Sequence, residues 1–126
     1  METILVIDDD PGFQVLVQGL IKSLGYQAIS ALTAGEGLDA VRRFRPRAIL
    51  VDIRLPGQGI DGWEVARRIK EDPVLKDIPL IIVSASGISS EEKKTVTLGC
   101  EGYIQKPFSV QVFKDALIQF LAPETA

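Results

Sequence analysis

Three stretches of the chain are continuously apolar: Ile4-Leu5-Val6-Ile7, Ala48-Ile49-Leu50-Val51 and Leu80-Ile81-Ile82-Val83. A strand with one wet face alternates apolar and polar side chains, whereas a strand covered on both faces has no need to alternate. The three runs therefore predict central strands of a parallel sheet. Gln27–Ala31 and Gly102–Gln105, less apolar, lie between segments of helical spacing and complete a set of five.

The intervening segments carry helix signals. Pro11 suits a first helical turn with Asp10 as its cap, and Phe13, Leu16/Val17, Leu20/Ile21 and Leu24 recur at helical spacing until Gly25 ends the run. Thr33 with Glu36 makes a capping box ahead of Leu38, Val41 and Phe44. Asp61 can cap a helix through Val65, Ala66 and Ile69 that stops near Asp72-Pro73. Ser89 with Glu92 is a second capping box, and Ser109 precedes Val110, Phe113, Leu117 and Leu121. Five strands each followed by one helix predict an α/β fold with a doubly wound parallel sheet, its right-handed crossovers placing helices on both faces. The segment from Ser89 to Leu98 is unlike the others: it offers only Val96 and Leu98 to a core, so it reads either as a mobile element or as an ordinary exposed edge helix.

Composition then removes whole classes of chemistry. Among 126 residues there is no His, so a Ser-His-Asp or Cys-His catalytic arrangement, a His-ligated metal and an imidazole proton shuttle are excluded within this chain. Chemistry must run on carboxylates, hydroxyls and lysine. A domain typically takes roughly 100–200 residues, and one domain over residues 1–122 with a short tail, 123–126, is expected. Cys100 is the only thiol; it can form no internal disulfide and reads as a small packed side chain in a reducing compartment. Met1-Glu2-Thr3 lacks the basic start of a signal peptide, and no apolar run approaches the roughly 18 residues needed to span a membrane. A cytoplasmic, membrane-free protein is expected. The net charge of -3, with Arg42, Arg43, Arg45 and Arg47 the densest basic group, gives no electrostatic footprint for nucleic acid.

In an open α/β sheet the ligand site lies beyond the carboxyl ends of the strands. After Ile7 come Asp8, Asp9 and Asp10; after Val51 comes Asp52; after Val83, Ser84; after Gln105, Lys106. An Asp at a strand end is ordinarily a loop or cap residue, and Asp10 fits that role. The combination is harder to explain structurally, because clustered carboxylates repel one another unless a cation or a lysine compensates them. Without metal, one carboxyl of Asp8, Asp9 and Asp52 is expected to have a raised pKa from mutual repulsion, opposed by Lys106. Oxygen-only clusters select hard divalent cations, and Mg²⁺ is usually held by one or two carboxylates, waters and a phosphate oxygen. A carboxylate beside a metal, a hydroxyl and an ammonium is also what phosphoryl transfer to Asp requires.

Four segments carry a family resemblance: Ile4-Leu-Val-Ile-Asp8-Asp9-Asp10-Pro11, Val51-Asp52-Ile-Arg-Leu-Pro56-Gly57 followed by Asp61-Gly62, Ile82-Val-Ser84-Ala85, and Gly102-Tyr-Ile-Gln-Lys106-Pro107-Phe108. Together they resemble the receiver domain of bacterial response regulators over essentially the whole chain. The resemblance implies a flavodoxin-like sheet of order 2-1-3-4-5 with five helices. It implies Asp52 as phosphoacceptor, taking a phosphoryl group from a phosphohistidine on a sensor kinase or phosphotransfer protein, with slow autodephosphorylation. It implies Mg²⁺ held by Asp8, Asp9, Asp52 and the backbone carbonyl of Arg54. Ser84 is similar to the hydroxyl that bonds a phosphoryl oxygen, with Ala85 keeping access open, and Lys106 to the lysine that ion-pairs with the phosphoryl group, its bond to Pro107 being cis. Tyr103 resembles the switch aromatic that turns inward as the hydroxyl moves. The partner would supply the histidine this chain lacks, and the protein would be a signalling phosphoacceptor that catalyses its own phosphorylation and dephosphorylation rather than an enzyme in the ordinary sense.

One departure from the family pattern stands out. Asp61 and Gly62 fall five and six positions after Pro56 instead of three and four, an apparent two-residue insertion in Gly57-Gln58-Gly59-Ile60. It lies beyond Asp52 and Arg54, so the metal site is expected to survive. The chain ends at Ala126 just past the last helix, and a stand-alone receiver acting through a downstream protein is expected; the last helix has Lys114 and Asp115 but no Arg for pairing with a second copy, so a monomer is expected. Gly12, Phe13, Gln14 and Val15 with Pro107 and Phe108 form the expected kinase-docking patch, with simple packing of Phe13 and Phe108 as the alternative. Trp63 is expected to pack, and can report binding by fluorescence. Two other functions compete: a receiver-like scaffold that is never phosphorylated, and a haloacid-dehalogenase-type phosphatase with Asp8 as nucleophile, which Gly12 and the lack of length for a cap domain disfavour.

Overall fold

The apolar runs pair edge to edge as predicted. The computed structural model describes residues 2–55, 60–85 and 89–121, and its elements run β1 (Thr3–Ile7), α1 (Pro11–Ser23), β2 (Gln27–Ala31), α2 (Ala34–Phe44), β3 (Ala48–Asp52), α3 (Gly62–Glu71), β4 (Leu80–Ser84), α4 (Ser89–Thr97), β5 (Gly102–Gln105) and α5 (Val110–Leu121). All strands are parallel in the order β2-β1-β3-β4-β5. Because successive side chains in a strand point to opposite faces, each central run feeds two cores. Ile4, Val6, Leu50, Ile81 and Val83 pack with Val17, Ile21, Phe113 and Leu117 of α1 and α5. Leu5, Ile7, Ile49, Val51 and Ile82 pack with Leu38, Val41, Val65 and Ile69 of α2 and α3. Among the described residues no helix is long and apolar enough to cross a membrane.

Local chemistry sets the helix ends. The Asp10 carboxylate accepts from the amides of Gly12 and Phe13 at 2.9 and 3.4 Å, Thr33 Oγ1 from Glu36 N at 3.1 Å, Asp61 Oδ1 from Glu64 N at 2.9 Å and Ser109 Oγ from Val112 N at 3.1 Å. The Glu36 carboxylate reaches back one residue further than a capping box requires, accepting from Leu32 N rather than from the cap residue's own amide. The pair Ser89 and Glu92 lies outside the described side chains. Gly25 has φ 92 and closes α1: Gly25 N donates to Lys22 O and Tyr26 N to Ile21 O, the paired bonds of a Schellman cap that needs a left-handed residue.

Several apolar residues assigned inward by spacing point outward. Leu16 is 52% exposed, Phe44 48% and Val110 49%. The stripe α1 buries runs along Gln14, Val17 and Ile21, and Leu16, about 100° from Val17, falls off it. In α4 the pattern inverts: Thr95 is buried at 2% while Val96 is 76% exposed. Thr95 and Leu98, three residues apart, share the inward face, which leaves Val96 on the far side. Cys100 packs into the core beneath α3, and burial pushes its thiol up to about 11, as suits an inert packed side chain.

Candidate functional site

Each strand-end residue predicted to act lies at the carboxyl edge of the sheet. β1 runs into Asp8, β3 ends on Asp52, β4 ends on Ser84, and Lys106 follows β5 with its amide donating to Ser84 O at 2.7 Å. Asp8, Asp9 and Asp52 each offer one carboxylate oxygen, all within 4.8 Å of one another. Asp8 is buried at 1%, Asp9 exposed and Asp52 half-buried.

Asp8 Oδ1 accepts from Asp10 N at 2.9 Å, and Asp8 Oδ2 accepts from Lys106 Nζ at 2.8 Å. Asp52 Oδ1 accepts from Arg54 N at 3.1 Å, and Asp52 Oδ2 faces Lys106 Nζ at 3.4 Å. Lys106 thus bridges the two carboxylates. Burial pushes the Asp52 carboxyl above its ordinary range, against the Arg54 amide and the Lys106 charge, with the Asp8 charge a smaller push in the same direction. The crowding expectation is met at Asp52, yet desolvation rather than mutual repulsion leads. Burial alone would lower the pKa of Lys106, but the hydrogen bond to Asp8 and the charges of Asp52 and Asp8 outweigh it and hold it above its usual value. The Lys106-Pro107 bond is cis.

The segment after Asp52 returns against the site backbone. Gly62 N donates to Ile53 O at 2.8 Å, and a Cβ on Gly62 would lie 2.1 Å from Asp52 O. No side chain fits there, so α3 starts hard against the strand that carries Asp52. The apparent two-residue insertion falls in the Gly57–Ile60 stretch, of which 57–59 lie outside the described residues; Asp8, Asp9 and Asp52 lie together all the same. Ser84 is buried at 4%. Tyr103 is half-buried against the α2/α3 core, and Trp63 is buried beneath Lys94, whose Nζ sits 4.8 Å from the ring centroid.

The docking patch needs correction. Gln14 is buried at 3%, its Nε2 within 3.0 Å of Val6 O and Asp8 O and 3.2 Å of Ala31 O. It fastens α1 to the ends of β1 and β2 and presents nothing to a partner. The signal was in the sequence: position 14 continues the Val17 and Ile21 stripe, where a polar residue must find buried partners. Val15 is 74% exposed, whereas Phe13 and Phe108 are half-buried and meet edge to face at 5.9 Å. Spacing also gave no hint that the Phe13 ring lies under the Lys106 ammonium, 3.9 Å from Nζ to centroid.

Residues 4–118 match the family described as the response regulator receiver domain. The chain belongs to that family. It is 35% identical over 120 residues to the polar-differentiation response regulator DivK of Brucella anthropi, covering 95% of this chain and 96% of that one. A putative response regulator from Chloroflexus aurantiacus superposes with a TM-score of 0.88 at 28% identity, covering 96% of this receiver and 98% of that chain. The receiver domain of the sensor histidine kinase PA1611 from Pseudomonas aeruginosa, with a magnesium ion coordinated in its active site cleft, gives 0.84 at 26% identity, over 95% of this chain and 97% of that one. This is therefore a receiver domain of two-component signalling with an acidic cluster at the carboxyl edge of its sheet.

Proposed function

We propose that this receiver takes a phosphoryl group onto Asp52 from a phosphohistidine on a sensor kinase or phosphotransfer protein, and that the change switches its contacts with a downstream protein. The observation that carries the reading is the bridge of Lys106 Nζ between Asp8 at 2.8 Å and Asp52 at 3.4 Å, beside a third carboxylate. The donor set fits Mg²⁺: three carboxylates of distinct exposure, with no nitrogen or sulfur among them. Asp8, Asp9, Asp52 and the Arg54 carbonyl would hold it, and the bound ion would offset charge on the phosphoryl oxygens. The magnesium in the PA1611 receiver supports that assignment.

The chain's own groups divide the work. The Arg54 amide orients the Asp52 carboxylate through Oδ1. A carboxylate oxygen forms the new O–P bond while the P–N bond of the donor breaks, and the electron pair stays on the partner's imidazole nitrogen. Lys106 pairs with the incoming phosphoryl oxygens, the Ser84 hydroxyl donates to another, and Tyr103 turns inward behind it. Water attack on phosphorus later cleaves the acyl phosphate and restores Asp52. The phosphatase reading through Asp8 is disfavoured, since that carboxylate is 1% exposed and engaged at both oxygens.

Incubation with acetyl phosphate and Mg²⁺, read by intact mass, tests this. One phosphoryl adduct is expected in the wild type, lost with EDTA and absent in Asp52→Asn. An adduct that survives Asp52→Asn but needs Asp8 overturns the assignment, and no adduct under any condition favours a scaffold.

A further inference from the structure

The ammonium of Lys106 has a third contact besides Asp8 and Asp52, the face of Phe13 at 3.9 Å, well inside the ~6 Å at which a cation is held by a ring's quadrupole. Phe13 does not float there. It meets Phe108 edge to face at 5.9 Å and 78°, and Phe108 stacks on Phe113 at 5.1 Å and 20°. Phe113 is 0% exposed in the α1/α5 core. Three rings in successive contact thus link the core beneath α5 to the ammonium, tying its position to the packing of α1 and α5. A lysine has four rotatable side-chain bonds and compact, strongly hydrated charge, so two carboxylate contacts alone leave its ammonium room to move, and a ring face at 3.9 Å limits that room.

We propose that Phe13 is the positioning residue for Lys106, its ring face confining the ammonium where it can meet a phosphoryl group on Asp52. This rests on the reading of Asp52 as phosphoacceptor. In this role Phe13 acts through Lys106. The bland alternative is that Phe13 merely fills space, and the two differ in what they ask of the ring. Filling needs volume, whereas confinement needs π-electron density.

The test replaces Phe13 with mono-, di- and trifluorophenylalanine, which keep the ring's shape while stripping its quadrupole, and with cyclohexylalanine, which keeps the volume and has no π face. Rate constants for phosphoryl uptake from acetyl phosphate with Mg²⁺ are measured beside thermal melts of each protein. The expected result is a graded fall, about 3- to 30-fold over the series, with little change in melting, and recovery in Phe13→Tyr. A second readout does not depend on phosphorylation: the Lys106 Cε protons should be shifted upfield by the ring in the wild type and return downfield with cyclohexylalanine. A flat rate series in a wild type that does take up the phosphoryl group overturns the positioning role and leaves the Asp52 reading standing. An unshifted Lys106 signal overturns the contact itself. A wild type that takes up no phosphoryl group removes both.

Discussion

At Asp52 the fold and the chemistry pull in opposite directions. Its carboxyl is held above the ordinary Asp value of 3.8 chiefly by burial. A raised folded-state pKa means that the folded protein binds this proton more tightly than the unfolded chain. The associated stability is fully present below 3.8 and is lost as pH rises through the folded-state value. Near neutrality the ionised Asp52 is therefore a cost to the fold, one that the proposed role as a charged acceptor would account for. Asparagine keeps the shape and the acceptor for Arg54 N without the charge. Metal-free Asp52→Asn should melt a few degrees above the wild type at pH 7, with the gap closing as pH falls toward 4. Equal melting in EDTA at both pH values would show that Asp52 is not strained. Gln14 is the opposite case, a polar group that the fold has satisfied. Gln14→Leu removes the side-chain donor shared by the carbonyls of Val6, Asp8 and Ala31, of which Ala31 O keeps the Asp8 amide, and should cost about 1–3 kcal/mol in urea unfolding, whereas a docking residue would leave stability untouched.

At the scale of the element, what the sequence made legible was whatever depends on local order. Ile4 to Ile7, Ala48 to Val51 and Leu80 to Val83 announce buried strands because continuous apolar runs have few other uses, and Asp10, Thr33, Asp61 and Ser109 mark helix starts because each has a free amide within reach. The strand-end residues Asp8, Asp52, Ser84 and Lys106 followed from topology. The contacts that depend on how helices roll on the sheet were not legible. Period alone could not say that α4 turns Thr95 inward and Val96 outward. Nor could it show Lys70 reaching the carbonyls of Lys76 and Ile78 and both oxygens of Glu101, a clamp across 31 residues that ties the end of α3 to the approach to β5. Two predictions belong here. Gly62→Ala puts a Cβ 2.1 Å from Asp52 O, a backbone atom that cannot yield, and should destabilise the protein by about 3 kcal/mol or more; urea unfolding unchanged within error would refute the close approach. Of residues 93–97 in α4 only Thr95 is buried, and Val96 is exposed, so amides of residues 95–97 should exchange with deuterium well ahead of those of residues 17–21 in α1. Equal protection would make α4 an ordinary edge helix.

Over the whole molecule, the sheet works as a collector. Five parallel strands deliver their ends to one edge, and two cores on opposite faces lock those strands in register, so carboxylates far apart in sequence are gathered without a local motif to hold them. Among the described residues their charge is compensated by Lys106, which is shared between Asp8 and Asp52. A divalent cation would be a second compensator available only in the folded state, and binding to the native state alone stabilises it by RT ln(1 + [L]/Kd), about 2.7 kcal/mol at a hundredfold excess over Kd. The melting temperature should therefore climb with Mg²⁺, by roughly 10 °C at saturation for a domain of this size, and sodium at equal ionic strength should not reproduce it. Because the cation needs Asp52 ionised while burial favours its proton, the gain should shrink as pH is lowered through the raised Asp52 value. It should also shrink in Asp9→Asn, whose exposed carboxylate contributes little to the metal-free fold. Lys106→Met should do the reverse. With the ammonium gone, Asp8 and Asp52 face each other uncompensated, the metal-free protein should lose stability, and Mg²⁺ should restore more than it adds to the wild type. Were melting indifferent to Mg²⁺ in all three proteins, the three carboxylates would be neighbours without being a cation site, and phosphoryl transfer to Asp52 would have only one lysine to balance the charge of the incoming group.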